Sequence, residues 1–138
     1  MGILRDRLTV DGVPHDVHRV RGGWRQIPDP RGPERVRYDA WRDRLLIESA
    51  DGGLEIRFHW RHTSFTWRQK SYHIRPRFWG GVTVYRGDQA VAEGRSTWSG
   101  LTIEFFDPDL ASIGGELAIG LTLREQAFAM AIVAASGA

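Results

Sequence analysis

Residues 56–87 carry seven basic side chains, Arg57, Arg61, Arg68, Lys70, Arg75, Arg77 and Arg86, and no Asp or Glu. Threaded between them are His59, His62 and His73 and the rings of Phe58, Trp60, Phe65, Trp67, Tyr72, Phe78, Trp79 and Tyr85. Cations interleaved with aromatics are the set that nucleic-acid grooves and anionic headgroup sites use, because the cations neutralise phosphate while rings stack or sit at an interface. If Phe58, Trp60, Phe65, Trp67, Tyr72 and Ile74 face a core, strand alternation sends Arg57, His59, Arg61, Arg68, His73 and Arg75 to the other side as a basic stripe. Phe78-Trp79-Gly80-Gly81 breaks the alternation and places Trp79 at the surface. The candidate ligand-binding residues are therefore Arg57, Arg61, Arg68, Lys70, Arg75, Arg77 and Trp79. A plainer reading stands beside this one: a solvated strand face whose arginines pair with acids from residues 1–55 or from the tail.

Other chemistries find less support. His15 and His18, and His59 and His62, repeat at a spacing of three, which on a strand points the two rings to opposite faces, and no carboxylate motif completes either pair as a metal site. There is no cysteine, no G-x-S-x-G elbow and no phosphate loop of the G-x-x-x-x-G-K-[ST] kind. Asp107 and Asp109 suit helix capping better than acid–base work. No cofactor or metal is indicated. Two alternatives to a binding module remain open. One is a small-barrel enzyme of the cyclase or isomerase type, with scattered catalytic groups around a hydrophobic metabolite. The other is a structural or partner-binding protein that uses an apolar helix.

The charge is unevenly spread. The net charge is only +2, and eighteen of the nineteen basic residues are arginine. Residues 1–55 are balanced, residues 56–87 are wholly basic, and residues 88–138 carry seven acids against two arginines. Such a chain presents a dipolar surface that steers a charged partner to one side. The anion expected there is a lipid headgroup or another phosphorylated small ligand. Nucleic acid fits less well, because the rest of the chain is net negative and the aromatics alternate inward. The absence of cysteine gives no sign of an oxidising compartment. Charges at Arg5, Asp6 and Arg7 interrupt any export signal, so the cytoplasm is expected, with the membrane periphery a second possibility. Nothing in the sequence fixes the oligomeric state.

The elements that must position these residues are mostly short strands within one domain spanning 1–138. Leu8 to Val10 and Val13 to Val20 flank Asp11-Gly12, a hairpin-turn dipeptide. Residues 22–35, with three prolines and three glycines, read as an irregular connection. From about 44 to 106 hairpins follow one another: Leu45 to Ile47 with Leu54 to Trp60, Phe65 to Trp67 with Tyr72 to Ile74, and Val82 to Tyr85 with Ala90 to Ala92. A last strand runs near Leu101 to Phe105. This spacing predicts an antiparallel meander curling toward a β-barrel. Asp107-Pro108-Asp109 then opens a helix over about 108–135. Glu116, Arg124 and Glu125 divide its apolar run into pieces shorter than a membrane span of about twenty residues. The helix is therefore expected to be buried in protein, with Gly114, Gly115 and Gly120 allowing close approach.

The hairpin Phe65-x-Trp67 to Tyr72-x-Ile74, the strand Val82-x-Val84, the segment Gly87-Asp88 to Val91-Ala92-Glu93, the Leu101-x-Ile103 strand and the closing Leu117-Ala118-Ile119-Gly120-Leu121 resemble the tubby C-terminal, LURP-one and scramblase-like superfamily over about residues 44–135. The resemblance implies a β-barrel wrapped around a hydrophobic C-terminal helix. It also implies anionic-lipid binding through basic residues, as tubby-type domains bind phosphoinositides.

Overall fold

The structure, a computed structural model, describes residues 7–10, 13–27, 34–59, 62–77, 80–97 and 100–136. Strands β1 (Arg7–Val10) and β2 (Val13–Asp16) pair with Val10 opposite Val13. Two five-stranded antiparallel sheets follow. The first contains β3 (His18–Val20), β4 (Trp24–Ile27), β5 (Glu34–Asp39), β6 (Arg44–Ser49) and β7 (Gly52–Arg57), side by side in that order. The second contains β8 (Thr63–Trp67), β9 (Lys70–Pro76), β10 (Val82–Arg86), β11 (Gln89–Thr97) and β12 (Gly100–Phe105), also in chain order. Two helices close the chain, α1 (Pro108–Ala111) and α2 (Gly114–Ser136).

Each sheet is a meander because every connection between paired strands is short, and short connections make neighbours antiparallel. Residues 22–35, expected to be irregular, contain β4 and the start of β5. The prolines at 28, 30 and 33 lie between the two strands rather than inside either, so the ladder Gln26 to Arg35 survives them. The β8–β9 connection is tighter than the four-residue turn expected. Lys70 pairs with Trp67, so only Arg68 and Gln69 remain in the turn, both left-handed at φ 50° and 64°. Two consecutive positive φ values are what a two-residue hairpin of this twist requires.

Alternation sorts the second sheet cleanly. Thr63, Phe65 and Trp67 on β8, Tyr72 and Ile74 on β9, and Val84 on β10 are buried, whereas Ser64, Thr66, Ser71 and Arg75 are exposed. The inner faces of both sheets and the helices contribute to one hydrophobic core: Val36, Leu45, Ile47 and Ile56 from the first sheet, Phe65, Trp67, Tyr72, Ile74, Val84, Val91 and Ala92 from the second, and Leu110, Ile113 and Leu117 from the helical segment. Among the described residues the hydrogen-bonded ladders join strands within each sheet and do not close either one on itself.

The helical segment starts where the sequence places it. Asp107 is extended, its carboxylate accepts the Asp109 backbone N–H at 3.1 Å, and Pro108 occupies the first turn. The expected single helix is broken once, at Ser112-Ile113, where the Ile113 N–H reaches back three residues to Leu110. Two glycines then set the path of α2. A Cβ on Gly114 would sit 2.9 Å from the Phe105 ring of β12, and one on Gly120 would sit 2.3 Å from the Leu45 side chain of β6. The glycines are notches into which one side chain from each sheet fits, which seats α2 against both. Among the described residues no helix is long and apolar enough to cross a membrane.

Candidate functional site

The second sheet carries a concavity of about 610 Å³ at the end where β9, β10 and β11 meet. Its shape comes from the chain between Arg77 and Gly81. The Arg77 N–H donates to the Gly81 carbonyl at 3.0 Å and the Gly80 N–H donates to the Arg77 carbonyl at 3.2 Å, so the chain doubles back on itself before entering β10. Gly80 and Gly81 are left-handed at φ 99° and 98°, and a Cβ on Gly81 would stand 2.1 Å from the Gly94 carbonyl oxygen. Only glycine at 81 lets the loop press this closely against β11.

Three guanidinium groups line the concavity: Arg75 from β9, Arg77 just beyond it, and Arg95 from β11, with Thr83, Tyr85 and Ser96 between them. Among the described residues no carboxylate is in the lining. The Arg77 Nη1 atom is buried and has no hydrogen-bond partner. A buried cationic donor left open costs more than an ordinary missing hydrogen bond, because water no longer solvates it. The Arg75 guanidinium lies 5.5 Å from the centre of the Tyr85 ring. Tyr85 in turn stacks on His73 at 5.1 Å with 13° between the planes, and His73 lies 5.4 Å from His62. The Ser64 hydroxyl and the His62 Nε2 are hydrogen-bonded at 2.7 Å. Burial holds the His73 imidazolium below its ordinary pKa, and the positive fields of Arg75 and His62 add to this while Asp88 opposes it. Ser96 is committed elsewhere, since its hydroxyl donates to Glu125 Oε1 of α2 at 2.5 Å.

The residues singled out by sequence fall into separate places. Arg75 and Arg77 meet at the concavity. Arg57 extends into solvent, 2.7 Å from Glu55 on its own strand. Arg68 reaches Asp51 at 2.9 Å and Asp109 at 3.4 Å. Lys70 sits on the same face as Trp67, not on the outer stripe, and its ammonium is ion-paired with Asp109. Arg86 lies 3.5 Å from Asp107. Arg61 and Trp79 are outside the described residues. Among the described residues no group of three or more His, Cys, Asp or Glu could hold a metal ion. Among the described residues, His62 and His73, eleven apart in sequence, are histidines that meet.

Arg95 belongs to the lining and lies beyond the acid-free stretch. The Gly87-Asp88 turn alone would pair Thr83 with Ala92 and send Arg95 to the other face; a β-bulge between Val84 and Tyr85 shifts the register so that Thr83 pairs with Glu93 and Arg95, two residues later, shares its outer face. A shallower hollow of about 350 Å³ on the first sheet, between Trp24, Leu46 and Leu54, has the opposite character, being edged by Glu48 and Glu55. Protein-family models, curated proteins and solved structures all offer no match to this chain.

Proposed function

We propose that this protein is a non-catalytic binding module for an anionic, phosphorylated ligand, held by Arg75, Arg77 and Arg95 over the Tyr85 ring. The observation that carries the reading is a concavity lined, among the described residues, by three guanidinium groups and no carboxylate, with the Arg77 Nη1 buried beside it without a hydrogen-bond partner. A phosphate oxygen supplies the acceptor that this donor lacks, and planar guanidinium forks match phosphate geometry. The same chemistry arises from a free phosphorylated metabolite or from a lipid headgroup, and the second source makes the protein cytoplasmic and peripheral to a membrane. The reading includes a barrel-like arrangement in which side-chain packing on α2, rather than a hydrogen-bonded ladder, unites the two sheets. The common core drawn from both sheets and the helices supports it.

The test is a titration with inorganic phosphate and with glycerol phosphate, followed by calorimetry or by the arginine side-chain NMR signals. Hydrogen bonds to charged groups contribute about 1.5–3 kcal/mol, so Arg77→Gln is expected to weaken binding by about tenfold to a hundredfold. Arg75→Gln and Arg95→Gln, whose side chains are exposed, give the same direction of change without disturbing the core. Affinity that is identical in all three variants and the wild type would sink the proposal.

A further inference from the structure

Trp41 is 93% exposed at the tip of the β5–β6 hairpin. An indole left in water is unusual; one left in water on a fastened turn is a stronger signal. Asp39 Oδ1 accepts the backbone N–H groups of Trp41 and Arg42 at 3.1 and 3.4 Å, and Asp39 Oδ2 accepts from Arg44 at 3.1 Å. Asp43, left-handed at φ 48°, accepts from the Tyr38 hydroxyl at 2.5 Å and from both arms of Arg124 at 2.9 and 3.1 Å. The Arg124 guanidinium is itself set between the Phe58 and Phe128 rings, 4.2 and 4.4 Å away. The turn's two carboxylates are thereby neutralised, and what it offers to solvent is Trp41 with the exposed Arg42 beside it.

Arg124, which fastens this turn, is the α2 residue next to Glu125, which fastens Ser96 in the wall of the arginine concavity. The exposed tryptophan and the concavity are therefore tied to one turn of α2, at the same level along its axis, on the two sheets that flank it. Past that level the helix becomes wholly apolar: Ala127 to Ala135 contains no polar residue, and Phe128 and Ala129 are exposed. At 1.5 Å per residue this stretch is about 14 Å long, against about 30 Å for a bilayer core, so it can lie in an interface but cannot cross one.

We infer that this end of the molecule is a docking surface for an anionic lipid bilayer, with Trp41 as the tip that enters the headgroup layer. A tryptophan ring is favoured at that depth, Arg42 can bury its stem and keep its charge among phosphates, and the exposed Phe128 ring adds buried area. A bilayer fits better than a protein pocket because the features lie on three separate elements and combine apolar tips with unpaired cations, which suits an extended anionic surface. The concavity's share in the docking rests on the function proposed above; the role of Trp41 does not.

Flotation with phosphatidylcholine vesicles, with and without phosphatidylserine, tests the inference. The wild type is expected to float with the phosphatidylserine-containing vesicles, and Trp41→Ala to lose about tenfold in partitioning, as one large apolar side chain no longer buried implies. Because Trp41 is so exposed, the variant should melt like the wild type and keep its affinity for inorganic phosphate. Quenching by brominated lipid, taken as the difference between the wild type and Trp41→Phe, should place the indole in the headgroup region. Wild-type vesicle binding that is indifferent to Trp41→Ala overturns the inference. So does a wild type that binds inorganic phosphate and floats with neither vesicle, which leaves the concavity to a free ligand. Vesicle binding that depends on Trp41, in a protein with no affinity for inorganic phosphate, supports the docking tip and removes the concavity reading alone.

Discussion

The two ends of β9 carry the same kind of residue to different fates. At its start, Lys70 and the neighbouring Arg68 are held by Asp109, with Asp51 also on Arg68. At its finish, Arg75 and Arg77, joined by Arg95 from β11, face a concavity with no acid among its described lining residues. One strand thus links a neutralised cluster to an open one. The difference comes from what each end meets: the first abuts the first turn of α1 and the β6–β7 turn, which supply Asp109 and Asp51, and the second abuts glycines. Cationic residue counts therefore say little about anion binding until each charge has been traced to its partner, since an arginine whose donors are already occupied by a carboxylate has fewer left for a ligand.

The largest effect should come from filling the space that keeps the open cluster open. In Gly81→Ala the new Cβ would meet the Gly94 carbonyl at 2.1 Å, at a φ of 98° that side chains rarely adopt. Overpacking and backbone strain together predict a loss of about 3 kcal/mol, read from the midpoint of urea unfolding, with phosphate affinity falling as the wall of the concavity moves. Gly52→Ala is the control. It has a comparable φ of 127° with no atom within 4 Å of the new Cβ, so it carries strain alone, about 1 kcal/mol. Equal losses in the two variants would mean that the loop yields freely and that the close approach at Gly81 does not shape the site.

Much of this contrast could be read before any coordinates. Alternation assigned Phe65, Trp67, Tyr72 and Ile74 to the core and Arg75 to the outer face, because period-two patterning is a local property of the chain. The Asp107-Pro108 start of the helical segment was legible for the same reason. The fate of each cation was not, because Lys70 and Asp109 are 39 residues apart and their meeting depends on how α1 packs against the second sheet. Trp41 also escaped notice. A tryptophan in a short turn gives no sequence sign of exposure until the hydrogen bonds that Asp39 and Asp43 accept show how the turn is fastened.

A smaller change should turn the closed cluster partly into an open one. Lys70, and then Arg68, hold the Asp109 carboxyl below the usual carboxylate range, against a desolvation effect of opposite sign. A carboxyl whose pKa is lower in the folded chain than in the unfolded one stabilises the fold above its unfolded value, near 4, and loses that contribution as pH falls through the folded value. Asp109→Asn is therefore expected to lower the melting temperature at neutral pH, with the gap to the wild type narrowing as the solution is acidified below about pH 4. It should also release Lys70, while Arg68 keeps Asp51, to bind inorganic phosphate weakly, in a manner abolished by salt. The absence of any gap at neutral pH would show that Asp109 acts through its backbone carbonyl, which accepts from Trp67 Nε1 at 3.0 Å and which Asn retains, and not through its charge.

The smallest effect is expected at Arg57, and it bears most directly on whether the open cluster is a site or a diffuse field. Arg57 and Glu55 meet on an exposed strand face, where solvent screens the pair and ordering two side chains offsets the attraction. Arg44 also lies 3.7 Å from Glu55, so the carboxylate keeps a cation when Arg57 is removed. Arg57→Gln should leave the melting temperature and the phosphate affinity unchanged, although it removes one full positive charge from the same acid-free stretch as Arg77. Equal loss of affinity in Arg57→Gln and Arg77→Gln would mean that binding follows the summed charge of residues 56–87. A loss confined to Arg77, Arg75 and Arg95 would locate it in the concavity, because a general field diminishes by similar amounts whichever charge is removed, and a coordinated phosphate does not.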